Sequence, residues 1–225
     1  MRKTRISRGV RQAVTAICFF LALPAAGGQA ADESVGFSIL KFGGGIVSAF
    51  MIHEAAHELV ALATGTEMSW RAGDINQPLT FTEKSTNRGA GFLISSAGLI
   101  TQAAGAEIIL QYDGIDKNDS FVRGMMFWNI LNPITYVIDY WFLQRTNSAS
   151  NGCYQGDLRG VQQYTDRATA DVFSVTLLAV AAFQGYRYAR TQSWAPEWLK
   201  AKELENVGLA PLPSGGALLS YTCEF

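Results

Sequence analysis

Hydrophobic residues gather along this chain into four long stretches separated by polar connections. The stretches run over about Phe37–Thr64, Ala90–Tyr112, Phe121–Leu143 and Ala170–Tyr186. Each approaches the roughly 20 residues that a helix needs to cross the hydrocarbon core of a bilayer. A shorter apolar run, Ala13–Ala26, follows a segment that carries Arg2, Lys3, Arg5, Arg8 and Arg11 and no acid, and it leads into small residues. Basic, apolar and small-residue segments in that order read as a secretory signal. Cleavage is expected near Ala30–Ala31, the alternative being an uncleaved anchor helix. The pattern therefore predicts an all-α fold, a polytopic membrane bundle of about four transmembrane helices behind a signal peptide.

The connections refine this picture. Residues 65–89 are polar, with Pro78 and an alternating Leu79-Thr80-Phe81, and are expected to hold a short hairpin between the first and second helices. Asn132-Pro133 lies inside the third stretch and predicts a helix break, because proline removes a donor and clashes with the preceding turn. A break at membrane depth is tolerated where it lines a polar cavity. After Arg187 the chain reads as one short helix around Glu197–Asn206 and then irregular segments around Pro211 and Pro213. The expected division is a signal at residues 1–30, a membrane core at 31–190 and an extramembrane tail at 191–225. Basic residues in the first and third connections (Arg71, Lys84, Arg88; Arg145, Arg159, Arg167) place those loops in the cytoplasm of a bacterial inner membrane. The basic tail, with Arg187, Arg190, Lys200 and Lys202, runs against that orientation.

Composition changes the picture little. Charged residues are 16% of the chain, against roughly 25% in soluble domains. The net charge of −1 and the lack of a basic stripe exclude an electrostatic nucleic-acid binder. Cys153 and Cys223 remain beyond the signal and form no metal-binding pair motif.

The chemistry concentrates in one place. The only two histidines, His53 and His57, stand four residues apart within the first apolar stretch. On a helix that spacing puts both imidazoles on one face, able to share one ion. Glu54 between them is placed to reach a metal-activated water rather than the metal, which is the logic of the HExxH motif. Ionisable groups in an apolar span are expensive and default to function. Catalytic zinc takes three protein ligands and a water; with no third histidine, the third ligand is expected to be a carboxylate. Asp139, just past Asn132-Pro133, is the preferred candidate. Asp157, in Gly156-Asp157-Leu158-Arg159, is the alternative, and it also reads as an ordinary helix N-cap.

The run from His53 to Gly65 (HEAAHELVALATG) resembles the first core helix of the site-2 protease family of intramembrane metallopeptidases. Ser95–Gln102 looks like the second-helix segment of that family, and Asn129–Asp139 like its Asn-x-x-Pro…Asp-Gly element. Leu99 stands where proline is usual and Tyr140 where glycine is usual. The resemblance implies Zn²⁺ held by His53, His57 and an aspartate, Glu54 as the base, and Asn132 or Asn129 as a hydrogen-bond donor to the developing oxyanion. The implied function is a zinc-dependent peptidase acting within or beside the lipid bilayer on a membrane-protein or peptide substrate. The alternative is an inactive membrane scaffold that keeps the same fold.

Overall fold

A computed structural model describes residues 34–70, 79–81, 87–144, 156–197, 199, 207–212 and 216–221. The expected signal segment, Cys153 and Cys223 lie outside the described residues. The framework is helical. Helices α1 (Val35–Ala63), α2 (Arg88–Gln111), α3 (Ser120–Asp139) and α5 (Arg167–Thr191) occupy the four apolar stretches, and a short α4 (Asp157–Tyr164) precedes α5. The hairpin expected between α1 and α2 is present: β1 (Met68–Trp70) pairs antiparallel with β2 (Leu79–Phe81), with Met68 opposite Phe81.

Local chemistry sets the helix ends. Free amides at a helix start need acceptors, and Asn or Asp side chains supply them. Asn87 accepts from Gly89 and Ala90 at 2.9 and 3.2 Å, Asp119 from Phe121 and Val122 at 2.9 and 3.4 Å, and Asp166 from Thr169 at 2.8 Å. α1 stops at Gly65, which takes a φ of 70° that side chains disfavour. This lets the Thr66 amide reach back to the Ala61 carbonyl at 2.9 Å and satisfy a terminal acceptor.

Among the described residues three helices, α1, α2 and α5, are long and apolar enough to cross a membrane. α3 is not among them, because Arg123, Asn129, Asn132 and Asp139 interrupt it. The four spans expected from the sequence thus resolve into three such helices and a more polar α3 that packs against all of them. α2 is the centre: 67% of its most apolar stretch is inside the protein, against 17% for α1 and 33% for α5. The outer faces of α1 and α5 instead turn Phe37, Ile39, Leu40, Val172 and Val175 outward. Below them, α1 and α3 touch backbone to backbone. A β-carbon on Gly45 would lie 2.1 Å from the Phe121 carbonyl, and one on Gly124 would lie 2.0 Å from the Phe42 carbonyl. Small residues at a crossing permit this approach.

Two expectations are corrected. Asn132-Pro133 does not break α3, which continues through a fully buried Pro133 to Asp139. Packing on neighbouring helices compensates for the single lost hydrogen bond. The irregularity comes later, as a wide π turn over Tyr140–Gln144. It is tied to α5 by Tyr140 Oη donating to Asp171 (2.9 Å) and Trp141 Nε1 donating to Ser174 (3.0 Å). The chain around Pro211 is likewise not irregular. β3 (Val207–Leu212) pairs antiparallel with β4 (Gly216–Tyr221), and β3 lies against α2 and α5. In a two-stranded hairpin every strand is an edge, where proline is tolerated. The helix expected over Glu197–Asn206 falls almost wholly outside the described residues.

Candidate metal centre

His53 and His57 project from the last third of α1 toward α2, and both are buried. Their four-residue spacing brings the two Nε2 atoms to 3.2 Å from each other. α4 supplies the third member. Gly156 takes a φ of 87° and starts the helix without a side-chain cap, so that Asp157 is its first residue. Rather than capping, Asp157 turns its carboxylate inward, with Oδ2 at 3.1 Å from His53 Nε2 and 3.3 Å from His57 Nε2. These three atoms form a nearly equilateral triangle that one metal ion can touch at once.

The surroundings favour a cation there. His57 Nδ1 lies 2.6 Å from the Ile94 carbonyl and donates to it, which leaves the Nε2 lone pair facing the triangle. His53 stacks on Tyr136, with ring centroids 6.0 Å apart and planes 24° apart. Despite its short distances to both rings, Asp157 Oδ2 makes no hydrogen bond of proper geometry, and buried acceptors rarely go without one. Burial alone would raise the Asp157 carboxyl, but the positive charge that His57 and His53 carry when protonated outweighs it and holds the group well below the usual carboxylate range.

The floor of the site is backbone. A β-carbon on Gly98 of α2 would sit 2.5 Å from His53 Cε1 and Nε2 and 2.6 Å from His57 Nε2. Only glycine lets α2 come this close. Glu54 is buried beside the triangle without joining it, with Oε1 4.0 Å from His53 Nε2. Glu58, one turn further on, is buried too and is not one of the converging groups.

The structure therefore brings together His53, His57 and Asp157, with Glu54 at their side, and leaves Asp139 out. The reason lies in the register of α3. Its inward stripe is Gly124, Met126, Asn129, Pro133 and Val137, and Asp139 falls two residues off Val137, on a flank. Asn132 is not at the triangle either; its Nδ2 donates to Gln102 Oε1 at 3.0 Å. Gln102 lies one turn along α2 from Gly98, is 2% exposed, and its own Nε2 has no partner among the described residues. The remaining buried acid among the described residues, Glu107, belongs to a different cluster, about 13 Å along α2 from Gly98. Arg187 neutralises it at 2.6 and 2.8 Å, and Gln111 and Gln184 complete its hydrogen bonds. Sequence reasoning missed Gly98 as the floor of the site and Gln102 as the partner of Asn132. The small-residue run Ser95-Ser96-Ala97-Gly98 was the available signal for the first. No protein-family model, curated protein or solved structure matches the chain.

Proposed function

We propose that this protein is a membrane-embedded zinc peptidase, with His53, His57 and Asp157 as ligands and Glu54 as general base. The observation that carries the reading is the convergence of three ligand atoms at 3.1–3.3 Å beside a buried carboxylate outside the ligand set. Tetrahedral zinc with bonds of about 2.0–2.1 Å keeps neighbouring ligand atoms roughly 3.3 Å apart. Two histidines and one carboxylate with a fourth position open is a donor set of catalytic rather than structural zinc. The resemblance of His53–Gly65 to the site-2 protease family supports the same reading. The three long apolar helices support a place in a lipid bilayer, which we assign to a bacterial inner membrane. Substrates would be membrane proteins or peptides held within or beside the bilayer.

Zinc bound there supplies Lewis acidity, bringing the pKa of water toward about 7. The side chains of the protein do the rest. Glu54 accepts a proton from the attacking water as its oxygen adds to the peptide carbonyl carbon. The same carboxyl then delivers that proton to the nitrogen as the C–N bond breaks, leaving a carboxylic acid and an amine. To Gln102 Nε2, whose amide is held by Asn132 through Oε1, we assign the donation to the developing oxyanion. Asn132 thus acts through Gln102 rather than on substrate.

The test is cleavage of a substrate bearing a transmembrane segment, co-reconstituted with the protein in liposomes. The wild type cleaves; Glu54→Gln keeps its zinc and does not; Gln102→Ala slows turnover by about 10²-fold, the usual cost of one oxyanion donor. A wild type that holds zinc but cleaves no such substrate would replace the enzyme with an inactive scaffold of the same fold.

A further inference from the structure

The third ligand sits on an eight-residue helix that begins just after Gly156 and is followed closely by α5. What holds such a short rod at the right angle is visible at its far end. Arg88 Nε donates to the Tyr164 carbonyl at 3.1 Å, and its Nη2 donates to the Thr165 carbonyl. These are the acceptors that a helix end leaves without partners. Thr165 closes the Val161 carbonyl one turn back, donating its amide and hydroxyl to it at 3.0 and 2.6 Å. The Tyr164 ring lies flat over Gly91, where a β-carbon would come within 2.2–2.4 Å of the ring atoms.

The position of Arg88 is not explained by its own helix. It is the first residue of α2, where a cation opposes the helix dipole. At the C-terminal end of α4 the same charge is favourable. Its guanidinium bridges two segments 76 residues apart in sequence. A helix of eight residues is about 12 Å long, so tilting one end carries the other out of ligand distance.

We infer that Arg88, with Tyr164 seated on Gly91, is a clamp that positions Asp157 for metal by fixing the opposite end of α4. Arg88 is a positioning residue; it touches neither metal nor substrate. This rests on the metal reading above, and it assigns a specific determinant of metal affinity to a residue remote from the ligands.

The experiment is Zn²⁺ affinity by competition with a chromophoric chelator, on the purified 225-residue chain in detergent, for the wild type, Arg88→Ala, Arg88→Lys, Asp157→Ala and the Arg88→Ala/Asp157→Ala pair. Removing an outer partner of a metal ligand typically weakens binding 10–100-fold, and Arg88→Ala is expected within that range with helix content unchanged. Arg88→Lys keeps the charge but not the forked donor and falls between the two. In the Asp157→Ala background, Arg88→Ala has no further effect, because the clamp acts only through that ligand. A merely structural arginine would weaken both backgrounds equally, and that result overturns the clamp, as does wild-type affinity in Arg88→Ala. Should Arg88→Ala not fold, wild-type affinity in Arg88→Lys overturns it. A wild-type chain that takes up no Zn²⁺ overturns the metal reading and the clamp together, an outcome distinct from failure of the clamp alone.

Discussion

Gly98 lies so close beneath His53 that a β-carbon on it would stand 2.5 Å from two atoms of the imidazole. The contact involves backbone on one side and a buried ring on the other, so neither can yield cheaply. Overpacking of this kind costs typically about 1–3 kcal/mol, and here it falls on ligand geometry. Gly98→Ala is predicted to keep its helix content and to lose metal. Circular dichroism and metal analysis on the same sample check it; full metal content in Gly98→Ala would show that α2 does not form the floor of the site.

The choice between the two aspartates is equally direct. Asp157 Oδ2 is within 3.3 Å of both imidazole nitrogens, whereas Asp139 is on a flank of α3. Asp157→Ala is predicted to lower metal affinity by more than about 100-fold, beyond the usual effect of an outer partner. Asp139→Ala is predicted to leave it unchanged. Chelator competition on the two variants decides the point, and the reverse ranking would return Asp139 to the site.

Stability should depend on acid at the start of α5. Asp166 is exposed, and the hydrogen bonds it accepts, first from the Thr169 amide and then from the Thr169 hydroxyl, lower its pKa from the ordinary 3.8. A depressed carboxyl contributes its stabilisation above the ordinary value and loses it as pH falls through the lowered folded-state value. Melting temperature should therefore fall on acidification below about pH 4. Part of that fall should disappear in Asp166→Asn, which caps without titrating. Identical acid profiles for the two proteins would exclude this cap as a contributor.

Much of this arrangement is readable in the residues, and the rest fails for identifiable reasons. The apolar stretches place the four long helices to within a few residues, because burial of long apolar runs is a local property. The four-residue spacing of His53 and His57 puts both imidazoles on one face with Glu54 at their side for the same reason. Asp157 cannot be chosen over Asp139 from spacing, because the choice depends on α4 folding back across α2 after a connection of many residues. Pro133 fails as a helix breaker because neighbours absorb what an isolated helix could not. Arg88 reads as a loop cation whose charge suggests only membrane orientation; its partners at Tyr164 and Thr165 are made by tertiary packing.

The central claim, that His53, His57 and Asp157 form one zinc site, is tested most directly by the zinc content of the purified chain. The account predicts about one zinc per wild-type chain, retained in Glu54→Gln, removed by chelator and restored on adding Zn²⁺. It predicts well under one in His57→Ala or Asp157→Ala, whose weakened sites lose zinc during purification. A wild-type chain that takes up no zinc, or an Asp157→Ala/His57→Ala double variant that binds it as well as the wild type, would contradict the account.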